Sequence, residues 1–237
     1  MKITEMNVRR LIREELENLE SKVQPGSQVF CDMDGVLVDF ASGAIDLANS
    51  VITGQVGKEW LPQSKSMRRA LRDIQSQDPN FSVKTSKDLD IPPVKTLMFA
   101  AISFNPGEYF SKLPPIQDGV SVLWPFLMSI PNKVTLLTAP VGSRKGIESL
   151  SAGDGKKLWA KEWLTPPPGD VIISPAGQKP AYAVTNGIPN ILIDDKASTV
   201  EAWNNVTEKA GFGRGYGILH IPSNSAQTVK SLKALGV

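Results

Sequence analysis

Asp32 and Asp34 stand one residue apart at the end of the apolar run Val29-Phe30-Cys31, and Gly35 follows them directly. A strand sends residues i and i+2 to the same side, so the two carboxylates come together where the strand stops. Carboxylates that close repel. The pair is sustained by a hard cation that neutralises it, or by a proton on one member, which then serves as an acid. Open α/β sheets bind their ligands at the carboxyl ends of the strands. An acid and a metal in that place suit phosphoryl transfer through an aspartyl phosphate, with Asp32 and Asp34 as the candidate catalytic pair. Asp and Gly also populate ordinary solvated turns, so this segment by itself leaves that reading open.

The elements that must position such a pair are visible in the pattern. Apolar stretches of strand length occur at 28–31, 134–137, 171–173, 191–193 and 217–221. They alternate with helical patterns at 118–129, 156–164, 199–209 and 226–235, which predicts a parallel sheet with helices on both faces and right-handed crossovers. The chain between Asp39 and Lys133 is too long for one connection. Residues 41–113, helical in pattern with breaks at Pro62, Pro92-Pro93 and Pro106-Gly107, read as a helical cap inserted after the first strand. The core then takes residues 25–40 and 114–237. Residues 1–24 hold an amphipathic helix, with Ile3, Met6, Leu11, Ile12, Leu16 and Leu19 near helical spacing. It is either packed on the core or a docking element, and a homodimer is an expectation drawn partly from it.

The wording Asp32-Met33-Asp34-Gly35-Val36-Leu37-Val38-Asp39-Phe40 resembles motif I of the haloacid dehalogenase (HAD) superfamily, in the version of its 5'(3')-deoxyribonucleotidase branch. Val134-Thr135-Leu136-Leu137-Thr138-Ala139-Pro140 is similar to motif II, which implies that Thr138 hydrogen-bonds a phosphoryl oxygen. On its own, Thr138 reads equally as a β-branched residue ending a strand. Ile191-Leu192-Ile193-Asp194-Asp195-Lys196 resembles motif IV. That implies a Mg²⁺ site built from Asp32, the Asp34 backbone carbonyl and Asp194, with Asp195 holding a water or orienting its neighbour. For motif III, Lys179 stands in the order the resemblance implies, although the wording around it departs from the family, and Lys157 and Lys161 compete with it. Backbone amides near Met33, Asp34 and Ala139 complete the implied phosphate site. The stretch 106–116 resembles the Pro-Gly-x-Phe-x-x-Leu-x-Pro-Ile return from cap to core, and Lys157-Leu158-Trp159-Ala160-Lys161-Glu162-Trp163 resembles the family's Lys-x-x-Trp-[Val/Ile] helix. The likeness covers roughly 28–220 and implies a Rossmann-like HAD core with a five-stranded sheet and the motif I strand at its centre.

Composition narrows the alternatives. With 237 residues, 41% of them hydrophobic, the chain can bury a sizeable core. A formal charge of +2 exerts no strong general pull toward nucleic acid. One cysteine and one histidine, Cys31 and His220, exclude an internal disulfide, zinc clusters and paired-histidine phosphatase chemistry. The pattern shows neither an apolar run of about 18 residues nor a leader, so a soluble cytoplasmic protein is expected. Phe40, Trp60, Phe99 and Phe104 are candidates to stack on a base, although cap aromatics commonly form the cap's own core. Lys65, Arg68, Arg69 and Arg72 form a basic stripe that reads as a wet face or an anion contact. The expectation is a Mg²⁺-dependent phosphatase of (deoxy)ribonucleoside monophosphates. A phosphatase of sugar phosphates or nucleic-acid 3'-phosphate ends is the alternative, and a non-catalytic phosphate-binding or phage structural protein is the reading of another class.

Overall fold

The computed structural model describes residues 23–56, 64–140, 147–211 and 216–237. The amphipathic segment and Trp60 lie outside the described residues. In chain order the strands are β1 (Val29–Cys31), β2 (Val134–Thr138), β3 (Val171–Ile173), β4 (Val184–Thr185), β5 (Ile188–Pro189), β6 (Ile191–Asp194) and β7 (Gly217–Leu219). Five of them form one sheet in the order β3-β2-β1-β6-β7, with every neighbouring pair parallel. The chain is thus an α/β protein with the expected strand plan, and β1 is central. β1, β2 and β6 are buried along their whole length, as strands of a sheet covered on both faces must be, which is why they read as unbroken apolar runs. Cys31 pairs in register with Ile193, so Asp32 and Asp194 leave adjacent strands at the same level.

The β4–β5 hairpin is an addition to the expected plan. Its turn is Asn186-Gly187, both at positive φ, the dipeptide that a tight hairpin turn favours. The flanks are only two residues each, too short for an alternating pattern to show.

The insert carries α1 (Phe40–Ile52), α2 (Lys65–Gln77), α3 (Pro92–Ile102) and α4 (Pro106–Ser111). Its prolines begin helices as much as they interrupt them. Pro92, Pro93 and Pro106 occupy first turns, where a missing N–H has no partner to lose. Around the sheet follow α5 (Trp124–Ser129), preceded by a π turn at Gly119–Leu123, then α6 (Ile147–Trp163), α7 (Ala197–Lys209) and α8 (Ser225–Ala234). α6 starts well before the expected 156, because packing overrides the turn-like Gly153-Asp154-Gly155. A Cβ on Gly155 would overlap the Gly107 carbonyl, so glycine there lets α6 cross α4 at backbone contact.

One buried cluster runs through insert and sheet alike, joining Met67, Leu97 and Phe110 to Val29, Trp124 and Trp159. Among the described residues, the three buried tryptophans each satisfy their indole N–H. Trp124, Trp159 and Trp203 donate to the carbonyls of Pro166, Leu113 and Asn190 at 2.9, 2.8 and 3.0 Å. Among the described residues, no helix is long and apolar enough to cross a membrane.

His220, at the end of β7, is buried with Nδ1 2.8 Å from Thr228 Oγ1. Burial lowers its pKa below 6.5, opposed by the Asp118 carboxylate. The unfolded chain therefore binds the extra proton first, and stability falls as pH drops through the ordinary histidine range. Urea unfolding at pH 7 and pH 5.5 should show His220→Asn losing up to about 1 kcal/mol less than the wild type over that interval. Equal losses would mean that His220 contributes nothing to the acid sensitivity.

Candidate active site

The candidate site lies where β1, β2 and β6 end. The Asp32 amide still donates to Ile193 O at 2.8 Å, as though the ladder ran one residue further. Its carboxylate is almost fully buried. Oδ1 accepts the Met33 N–H at 2.7 Å and Oδ2 lies 2.7 Å from Lys179 Nζ. The same ammonium lies 2.7 Å from Asp194 Oδ2, while Asp194 Oδ1 accepts the Lys196 N–H at 2.9 Å. Lys179 is carried in by the 3₁₀ stretch Ala176–Tyr182 and is itself buried. Burial alone would lower its pKa, but the Asp32 and Asp194 charges more than offset this and raise it, so it stays cationic.

Asp34 belongs to a second ion pair. Its Oδ2 lies 2.5 Å from Lys156 Nζ, and Lys156 also donates to Thr138 Oγ1 at 2.8 Å. Lys156 is fully buried under the Phe110 ring, 4.7 Å from the ring centroid. Burial pushes the Asp34 pKa up, Lys156 pulls it down and Asp32 pushes it up again, for a net rise. Asp34 Oδ1 is buried without a hydrogen-bond partner. A carboxyl group inclined to hold a proton, with one oxygen uncommitted, has the properties of an acid and base. Asp39, by contrast, is committed to capping α1. It accepts the Ser42 N–H at 2.9 Å and the Ser42 hydroxyl at 2.6 Å.

Carboxylate oxygens of Asp32, Asp194 and Asp195 all lie within 4.8 Å of one another. Lys179 supplies one positive charge against these three acids. Asp195 shows the imbalance: its pKa is pushed up to about 7, first by desolvation and then by the charges of Asp32, Asp194 and Asp34. Crowded hard oxygen donors of this kind fit a divalent cation such as Mg²⁺, which would relieve the repulsion. Gly35, at φ +77, makes the approach possible, since a Cβ there would overlap Asp195 Oδ2. Gly35→Ala should therefore displace Asp195 and strain the backbone, with a loss of about 1–3 kcal/mol. It should also weaken Mg²⁺ binding measured by calorimetry, and unchanged affinity would remove Asp195 from the cation site.

Asp32, Asp34, Lys179, Asp194 and Asp195 line a cavity of about 510 Å³, whose further walls include Phe40, Ile116, Ala139, Lys196 and Ser223, while Thr138 and Lys156 are buried behind it. The structure thus brings Asp32, Asp34, Thr138, Ala139, Lys179, Asp194 and Asp195 to one place. Met33 is adjacent, although its N–H is occupied by Asp32 itself. Of the aromatic candidates, Phe40 lines the cavity, while Phe99 and Phe104 do not. α3 turns Val94, Leu97, Met98, Ala101 and Ile102 inward, which leaves Phe99 on its outer side, and Phe104 packs against the buried cluster. Lys157 and Lys161 are both exposed. Lys156 was not among the sequence candidates. Its sequence signal is the Lys-x-x-Trp spacing, which runs from Lys156, not Lys157, to Trp159.

No family model matches the chain, and no curated protein matches it. Solved structures do. A hydrolase from Streptococcus pneumoniae TIGR4 is similar at 12% identity and a TM-score of 0.42, over 87% of this chain and 99% of that one. A protein described as a beta-phosphoglucomutase from Thermotoga maritima is similar at 19% identity and a TM-score of 0.37, over 89% and 97%. Both scores are low, and the class is defined by the molecule itself: a parallel α/β sheet with two acidic pairs and two buried lysines at the carboxyl ends of its strands.

Proposed function

We propose that the chain is a Mg²⁺-dependent HAD-type phosphatase acting on nucleoside monophosphates. The observation that carries this is the division of labour between the two motif I acids. Asp32 is held by Lys179 and a backbone N–H beside two further carboxylates, while Asp34, raised in pKa, keeps one oxygen uncommitted. One group is built to remain an anion and the other to exchange a proton.

In this reading an Asp32 oxygen attacks phosphorus, and the bond from phosphorus to the ester oxygen breaks as Asp34 gives that oxygen its proton. Water then attacks the aspartyl phosphate, Asp34 takes a proton from it, and the bond from Asp32 to phosphorus breaks to release inorganic phosphate. Thr138, Lys156 and Lys179 hold the phosphoryl oxygens. Asp32, Asp194 and Asp195, with the Asp34 carbonyl, would hold Mg²⁺, which offsets the charge that keeps a carboxylate away from a phosphate dianion. Phe40 and Ala41, at the start of α1, wall the cavity and help to exclude water from it. Phe40 and Ile116 offer an apolar surface for a base, which supports a nucleoside as the leaving group.

The test is phosphate release from nucleoside monophosphates, sugar phosphates and a 3'-phosphorylated oligonucleotide, with Mg²⁺ and with chelator. Release from the monophosphates that chelation abolishes is the expected result. Preference for either other class overturns the substrate, and no release from any ester overturns the enzyme in favour of a phosphate-binding protein.

A further inference from the structure

Beyond Leu219 the chain follows β6 for one more residue, since the His220 N–H donates to Asp194 O at 2.9 Å. It then turns. The Asn224 N–H donates to Ile221 O at 3.0 Å, which closes a four-residue turn with Pro222 second and Ser223 third. Ser223 has φ +61. Proline followed by a residue at positive φ is the pattern of a type II turn, whose third place favours glycine because a Cβ is strained there. Asn186 is the other non-glycine at positive φ among the described residues, and asparagine is a type enriched in that conformation. The turn by itself gives no reason for serine at 223.

This turn is held from both sides. His220 is buried with Nδ1 2.8 Å from Thr228 Oγ1 on α8, and the Ser225 N–H at the start of α8 donates to Asp118 Oδ2 at 2.7 Å. Asp118 lies two positions after Ile116, whose own N–H donates to Leu37 O at 2.8 Å. The turn is thus strung between the acids that end β6 and the apolar wall at Ile116, and Pro222 and Ser223 both line the acidic cavity. Two hydroxyl-bearing residues line it: Thr199, buried in the first turn of α7, and Ser223, which is exposed. Strained residues held firmly by their surroundings cluster where ligands bind.

We infer that Ser223 is a specificity contact of the site: its hydroxyl hydrogen-bonds a polar atom of the leaving group that lies along Phe40 and Ile116. The inference rests on the phosphatase reading and narrows its substrate class to phosphomonoesters whose leaving group carries a hydroxyl or a ring nitrogen, as a sugar or a base does. A leaving group without such an atom gains nothing from Ser223. Because the contact is made to the leaving group and not to the phosphoryl group, it is present in the ground state and the transition state alike, so its loss appears in KM while kcat holds.

The experiment compares phosphate release by the Mg²⁺-loaded full chain from nucleoside monophosphates and from phenyl phosphate, whose ring can lie on the same apolar wall without offering a hydroxyl or a nitrogen. Ser223→Ala removes the hydroxyl and keeps the strained φ. Ser223→Gly removes both, so it should unfold at no lower a temperature than the wild type, and its loss is read on a folded protein. Both variants should raise KM for the preferred monophosphate by about three- to tenfold, the scale of one hydrogen bond, and leave its kcat and both constants for phenyl phosphate within about twofold. An unchanged monophosphate KM in both variants overturns the contact. So does an equal rise for phenyl phosphate, which would make Ser223 part of the frame of the cavity. In either case phosphate release by the wild type leaves the phosphatase reading standing. If the wild type releases phosphate from none of these esters, that reading falls and the contact with it.

Discussion

Asp32→Asn lowers the rate of phosphate release by about 10⁴-fold or more while the protein stays folded, the scale on which loss of a nucleophile is felt. The amide keeps the shape of the carboxylate and can still accept the Met33 N–H that the native side chain holds at 2.7 Å. What is lost is the negative charge and with it the nucleophile. Two effects on stability oppose each other. Lys179 loses one of its two anionic partners but keeps Asp194 at 2.7 Å, and repulsion among Asp32, Asp194 and Asp195 is relieved. Thermal unfolding should therefore move little. Single-turnover phosphate release on the variant decides the matter, because a residual rate within tenfold of the wild type would remove Asp32 from the chemistry.

The second large effect is expected at Lys156. Lys156→Met keeps the length and apolar stem of the side chain and deletes only the cation, which is fully buried. Asp34 is then left with no counter-ion at 2.5 Å, and Thr138 loses a donor at 2.8 Å. Removing one member of a buried ion pair costs about 3–5 kcal/mol, because the remaining charge is stranded in low dielectric. Asp34 keeps some access to water from the cavity, which favours the lower end. Phosphate release should fall by about 10²–10³-fold, comparable to the loss of one donor to a developing anion. Urea unfolding of Lys156→Met, Asp34→Asn and the double variant separates charge from packing. The double variant should be more stable than the two losses predict when added, and simple additivity would show that the pair is not coupled.

Much of the site was legible because strand geometry is local. Alternation of side-chain direction placed Asp32 and Asp34 together, and Gly35 after them marked the turn that the structure forms at positive φ. The second acidic pair, Asp194-Asp195, was legible for the same reason, as an apolar strand delivering acids at its end. Lys179 was harder, since nothing in a single lysine announces burial, and order along the chain was its only support. Lys156 went unread because its partners are remote: Asp34 and Thr138 lie 122 and 18 positions away. Phe99 and Phe104 stand away from the cavity for a related reason. Residue type identifies an aromatic ring, but which way its helix is turned depends on the rest of the buried cluster.

The sequence by itself determined the alternation of strands and helices, the parallel sheet and the acids at the strand ends. Each follows from periodicity, chain length and the chemistry of adjacent residues, which act over a few positions. Only the tertiary structure decided the partners of those acids. The Asp32–Lys179–Asp194 bridge and the burial of Lys156 beneath Phe110 join segments distant in the chain. Such pairings arise from packing and desolvation, which depend on what surrounds a side chain in three dimensions.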